Sequence, residues 1–244
     1  MAGVYLVNVL DVARSLGIDP TRVTPEMVAQ WLITEYMKKR RGGFNYNPAI
    51  DMTFELFRGN ITAEQARLHC LTNGNPKGRR QNVEAITQIS SYALANISAC
   101  YRIGFRAVEV GRIKGEQVYI GIKAPMVRVL HDEAYVVMPG FRMSYRPVEA
   151  EIDVACSIAL ATFAREGYDE ADFEYLYAGP GVSGQREFRS IKGRERRVFS
   201  KDEVDALLDV YVKGVALALD AGVESRPANL RGYSVIGPRQ SSMF

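Results

Sequence analysis

Residues 105–138 read FRAVEVGRIKGEQVYIGIKAPMVRVLHDEAYVVM. The stretch is rich in Val, Ile and Tyr, and its apolar positions recur at the period of a strand rather than a helix. Phe105 to Ile113 and Gln117 to Leu130 read as two strands, with Lys114-Gly115 as the hairpin turn between them. Pro125 has no amide hydrogen for a ladder, so it breaks or bulges the second strand. Glu133 to Met138 reads as a third strand, closed by Pro139-Gly140.

On either side the helical period takes over. Upstream, Asn82 to about Tyr101 carries Val83, Ile86, Ile89, Leu94 and Ile97. Before it, Thr62-Ala63-Glu64-Gln65 has the capping-box pattern and opens a short helix to Leu71. Ile50 to Phe57 is a further short helix. Thr24-Pro25-Glu26 supplies a cap, a proline at the first helical position and an early acid for a helix to about Lys39, and Trp31 falls on its apolar stripe as a core residue. The apolar segment Val4 to Leu16 reads as helical. Downstream, Val148 to Ala164 is a helix with Ile152, Ala155, Cys156, Leu160 and Phe163 on a broad apolar face. Phe173 to Tyr177 is a compact strand. Ala178 to Gly184 reads as a loop, Gln185 to Phe188 as extended or irregular, and Ser200-Lys201-Asp202-Glu203 caps a helix to about Ala221.

The expected class is therefore α+β: a small, mostly β central segment (strands about 105–138 and 173–177) flanked by helices, with a helical N-terminal lobe. With no linker, repeat or composition break, residues 1–244 are expected to form one domain, divided into a helical lobe of about 1–101, a core of about 102–222 and a mobile tail of 223–244.

A chain of 244 residues with 47% apolar and 24% charged residues is ordinary globular material. Cys70, Cys100 and Cys156 are odd in number and dispersed, as expected of buried thiols in a reducing compartment. The N-terminus lacks the basic start of a secretory signal, and no stretch reaches the roughly 20 apolar residues of a membrane span. A cytoplasmic protein with no membrane association is expected.

His69 and Cys70 are helical neighbours whose side chains diverge by about 100°, and His131 precedes Asp132 and Glu133 at a turn, so neither histidine supplies a base to a nucleophile. The cysteine and histidine spacings fit no zinc site. Glu149, Glu151 and Asp153 alternate at a helix start, which spreads them around the helix. Gly179, Gly181 and Gly184 have the G-x-G-x-x-G spacing after a strand, but a dinucleotide fingerprint needs a helix to follow at once. No catalytic residue, metal site or cofactor is expected. Asp11 to Leu32 faintly resembles a helix-turn-helix, with a connection too long for the motif.

Net charge is only +3, and its distribution says more. Lys38 to Arg41 is one basic cluster; Lys77, Arg79 and Arg80 form a second; Arg186, Arg189, Lys192, Arg194, Arg196 and Arg197 form a third, with Phe188 and Phe199 nearby. Planar guanidiniums grip phosphates and aromatics stack on bases. These residues predict nucleic-acid binding through basic loops, to DNA or RNA. Two other readings are a protein-interaction or structural subunit of a larger assembly, and an enzyme acting on a phosphorylated small molecule at the Gly179 to Gly184 loop.

The order from Asn82 to Tyr177 (helix, three strands, helix, strand) resembles the core of the RecB-like branch of the PD-(D/E)XK nuclease superfamily over about two-fifths of the chain. The resemblance implies an acidic residue on the second core strand and a D/E-x-K motif on the third. Here the second strand carries Ala124-Pro125-Met126 and the third runs into Met138-Pro139-Gly140-Phe141-Arg142. Two carboxylates are missing, so the resemblance implies a nuclease-like module without the scaffold for metal-assisted hydrolysis.

Overall fold

The computed structural model describes residues 3–17, 19–37 and 44–237. Its elements are β1 (Leu6–Asn8), α1 (Val9–Ser15), α2 (Pro25–Met37), α3 (Asn47–Phe57), α4 (Ala63–Thr72), α5 (Arg79–Ala95), β2 (Ala99–Arg102), β3 (Phe105–Ile113), β4 (Glu116–Ile122), β5 (Met126–Leu130), β6 (Glu133–Gly140), α6 (Glu149–Ala164), β7 (Asp172–Pro180), β8 (Arg186–Lys192), α7 (Lys201–Asp220) and β9 (Tyr233–Ile236). The class is α+β, as the sequence implies.

Residues 105–138 supply four strands, not three. Lys123-Ala124-Pro125 divides the expected second strand into β4 and β5, and the two halves belong to different sheets. One sheet has the order β1-β4-β3-β9, the other β2-β5-β6-β7-β8. The proline's effect is thus larger than a bulge: without an amide hydrogen in the ladder, the chain leaves one sheet and enters the next.

Where local chemistry is decisive, the structure follows it. Lys114 and Gly115 take the positive φ values that a tight hairpin turn needs. His131 and Asp132 do the same between β5 and β6, which makes His131 a turn residue. Both capping boxes form, with Thr62 and Gln65 exchanging bonds, and Ser200 and Glu203 likewise.

Four short strands were not legible. Leu6–Asn8 lies inside the segment read as helical and pairs in parallel with β4. Ala99–Arg102 falls in the expected end of the α5 helix and pairs with β5. Arg186–Lys192 is a regular antiparallel strand on β7, so half of the third basic cluster is sheet, not loop. Tyr233–Ile236, in the expected tail, pairs in parallel with β3. β6 closes at Pro139-Gly140, as the sequence implies, whereas Ala178 to Pro180, read as loop, are the last residues of β7.

The five-stranded sheet is buried on both faces. Val127, Val136, Met138, Phe173, Tyr175 and Tyr177 face a core shared with the four-stranded sheet, α1, α2, α6 and α7. Met126, Tyr135, Val137, Leu176 and Ala178 face a second core built with α3, α4 and α5. The alternation along each strand is the period-2 signature of that burial. The helices of the first hundred residues thus serve two cores. No helix among the described residues is long and apolar enough to cross a membrane.

Candidate functional site

The third basic cluster is held mostly by the protein itself. Arg186, whose side chain is only 5% exposed, donates to the carbonyls of Phe141 (2.8 Å) and Ala178 and to Gln81 (2.8 Å). Arg194 caps the carbonyls of Asp169 and Ala171 at 2.6 and 3.3 Å. Arg196 bridges Glu149 and Asp153 on the first turns of α6, and Arg189 reaches Glu149 at 3.5 Å. Lys192 donates to the Tyr135 hydroxyl at 3.0 Å, which raises its pKa. Arg197 meets Glu203 at 3.4 Å and lies over the Phe199 ring. Glu149 and Asp153 on α6 and Glu203 on α7, elements on either side of the cluster in the chain, converge on these arginines in space.

The second cluster is different. Gly78 closes a short 3-10 turn, and Arg79 and Arg80 are the first residues of α5. Lys77 is exposed, Arg79 is half-buried with its Nε buried and without a hydrogen-bond partner, and neither residue has an ion pair among the described residues. Arg80 is paired only with Glu84 one turn on, at 2.8 Å and with its own side chain 88% exposed. Such a pair is worth about 0.3–0.5 kcal/mol, so it yields readily to a phosphate.

Asn82 fixes what surrounds this cluster. Its side chain accepts from Ala49 N (3.1 Å) and donates to the carbonyls of Asn45 (3.1 Å) and Gly78 (2.9 Å), stapling the segment before α3 to the start of α5. Phe44 consequently lies directly on Gly78, where any Cβ would collide with its ring. Phe44 and Tyr46 meet edge-on at 5.2 Å, Tyr46 meets Phe141 at 5.8 Å, and the Arg186 guanidinium lies 5.9 Å from the Tyr46 ring. Sequence reasoning missed this aromatic group because Phe44 and Tyr46 are more than 30 residues from Lys77. The first cluster, Lys38 to Arg41, lies outside the described residues.

Behind these rings a cleft of about 250 Å³ runs between the two sheets, lined among others by Phe105, Phe141, Tyr145 and Tyr175. It shares Asn8, Asp11, Lys123 and Arg142 with an adjoining cavity of about 430 Å³. Lys123 stands at the sheet junction. It is exposed, and partial desolvation at the cleft wall, then the charge of Arg142, lowers its pKa; Asp11 acts in the opposite sense. No hydrogen bond or ion pair holds its amine among the described residues; the nearest ring, Phe105, is 5.9 Å away. Arg142 is paired with both oxygens of Asp11 at 3.2 Å. The Tyr145 hydroxyl is buried without a partner.

The other residues tested for chemistry are dispersed. Burial pushes the thiols of Cys70 and Cys156 up to about 12. Gly181 to Gly184 form the turn of the β7–β8 hairpin, so a strand, not a helix, follows the G-x-G-x-x-G spacing and the dinucleotide geometry is absent. Among the described residues no three His, Cys, Asp or Glu side chains cluster as metal ligands would.

The strand order on which the nuclease resemblance rests is divided between the sheets: β3 and β4 lie in the four-stranded sheet, and β5, β6 and β7 in the five-stranded one, with β7 parallel to β6 after α6. Arg128 and Ala134 to Val136 occupy β5 and β6, without a carboxylate-x-lysine.

No family model matches the chain, and no curated protein matches it significantly. Among solved structures, the chain is similar to SSO0001 at 11% identity, over 76% of this chain and 85% of that one, with a TM-score of 0.30. It is similar to a protein from Eubacterium rectale named "Putative exonuclease" at 12% identity, over 98% of this chain and 92% of that one, with a TM-score of 0.38. Similarity at this level carries no activity over to this chain.

Proposed function

We propose that the protein binds nucleic acid, taking phosphates on Lys77, Arg79 and Arg80 and stacking unpaired bases on Phe44 and Tyr46. The observation that carries the reading is the meeting of an aromatic pair with Lys77 and Arg79, which have no ion pair among the described residues, and the exposed, weakly paired Arg80, at the turn into α5 held by Asn82. Cations that track a backbone beside rings that accept any base are the elements of single-strand binding. The arginines of the third cluster contribute less, because their donors already serve carbonyls and carboxylates.

The test is fluorescence anisotropy with labelled single- and double-stranded DNA and RNA across a salt series. Lys77→Ala, Arg79→Ala and Arg80→Ala together are expected to weaken binding at least tenfold. They should also flatten the slope of log affinity against log salt by about 0.7 for each single-strand phosphate no longer neutralised. Phe44→Ala should cost single-strand affinity about 1–3 kcal/mol if one base stacks there. Arg194, Arg196 and Arg197 changed together serve as the comparison, with a smaller effect. Unchanged affinity in a correctly folded Lys77, Arg79 and Arg80 variant would overturn the reading.

A further inference from the structure

The rings beside the start of α5 also line the cleft behind them. Phe44 and Tyr46 share its wall with Phe105, Phe141, Tyr175 and Tyr177. Two glycines let the tyrosines lie against the strands: a Cβ at Gly140 would collide with the Tyr175 hydroxyl, and one at Gly179 would stand 2.7 Å from the Tyr177 ring. Tyr46 meets Phe141 edge-on at 5.8 Å, so the rings continue from the α5 turn into the cleft. At about 250 Å³ the space is smaller than the roughly 300–1,000 Å³ of a pocket for a whole drug-sized ligand, and it matches one flat group rather than several.

Polar groups stand at two places on this wall. Asn47, exposed near Tyr46, has a side-chain amide with no hydrogen bond among the described residues, so it offers both donors and an acceptor. Lys123 and Arg142 stand where the cleft shares its wall with the adjoining cavity of about 430 Å³. Lys123 is exposed and has no ion pair among the described residues. Arg142, its side chain 60% exposed, touches Asp11 through one nitrogen and keeps its other donors. Ring faces, an amide and a pair of cations answer in turn to the faces of a base, its edge and its phosphate, the groups by which an unstacked nucleotide is held.

We propose that the cleft takes one unpaired nucleotide of the bound strand, with its base among the rings, the base edge on Asn47 and the phosphate on Lys123 and Arg142. The inference rests on the nucleic-acid reading and deepens it. Lys77, Arg79 and Arg80 grip a backbone whatever its sequence. The cleft adds a demand that one base be unstacked and unpaired, because a base inside a duplex has its faces covered and its edge engaged.

The probe is a short single strand carrying 5-iodouracil at every position, so that the register of binding does not matter. It is bound to the full chain and irradiated, which joins each iodouracil to an aromatic ring that it touches, and peptide mapping by mass spectrometry locates the adducts. Adducts are expected on Phe105, Phe141 or Tyr175 as well as on Phe44 and Tyr46. Asn47→Ala with Lys123→Gln removes two side chains that bond nothing else among the described residues, so circular dichroism should show an unchanged fold. That double variant is expected to lose cleft adducts about fivefold or more while keeping those on Phe44, and to bind single strands more weakly. Its slope of log affinity against log salt should fall by about 0.7 for the one phosphate no longer neutralised. A bound strand whose adducts are confined to Phe44 and Tyr46, or cleft adducts undiminished in the double variant, overturns the inference and leaves the nucleic-acid reading standing. No binding of any strand, measured by anisotropy before irradiation, overturns both.

Discussion

At the residue scale, the costliest single feature is the pair of Arg128 and Glu174, both fully buried. Two bonds join them, at 2.7 and 3.1 Å. Tyr92 and Ser190 also donate to Glu174, at 2.6 and 2.7 Å. Arg128 lies between the rings of Phe57 and Tyr135. Burial opposes the guanidinium's charge, and the hydrogen bonds and charge of Glu174 outweigh it, so the pKa is raised. Removing one partner strands the other charge in a dry core. Arg128→Met alone is therefore expected to destabilise the fold by about 3–5 kcal/mol, and the double variant with Glu174→Leu to recover much of that, as measured by denaturant unfolding. Lys123 gives a prediction of opposite sign. Its folded pKa lies below its unfolded one, so folding is penalised while the amine is charged. The penalty is fully present below the folded pKa and fades as pH rises from there towards the unfolded value. Lys123→Met should raise the melting temperature at neutral pH, and the gap over the wild type should close in that alkaline window. A gap independent of pH would place its origin in packing rather than charge.

At the element scale, α2 and α7 touch through Gly214. A Cβ there would stand 2.5 Å from Val28 Cβ and 2.9 Å from the Pro25 carbonyl. Alanine improves helix propensity by roughly 0.8–1 kcal/mol, but overpacking costs about 1–3 kcal/mol, and the neighbour includes backbone that cannot rotate away. Gly214→Ala is expected to lower stability, with Val28→Gly in the same chain less damaging than the two changes summed. The same scale shows which elements were legible. α4, α7 and the β3–β4 turn announce themselves, because capping boxes and a positive-φ turn are satisfied by residues a few positions apart. Ala99–Arg102 and Tyr233–Ile236 do not: each is four residues long and owes its conformation to β5 or β3, which lie elsewhere in the chain.

At the scale of the whole molecule, the two sheets meet where Lys123-Ala124-Pro125 passes between them, and both cavities open beside that junction. The sequence alone determined the α+β class, most helices, the strand character of residues 105–138 and the β3–β4 turn, because these depend on periodicity, turn chemistry and residue types available locally. It also marked the three basic clusters. Only the tertiary structure decided which cations remain unengaged. Arg194 and Arg196 bond groups 23 to 47 positions away, whereas Lys77 and Arg79 meet no acid among the described residues. Lys123, unremarkable in a strand-forming stretch, was invisible for the same reason. Its neighbours Asp11 and Arg142 come from α1 and the segment after β6, and a side chain's charge state is set by what folding brings to it rather than by what precedes it in the chain.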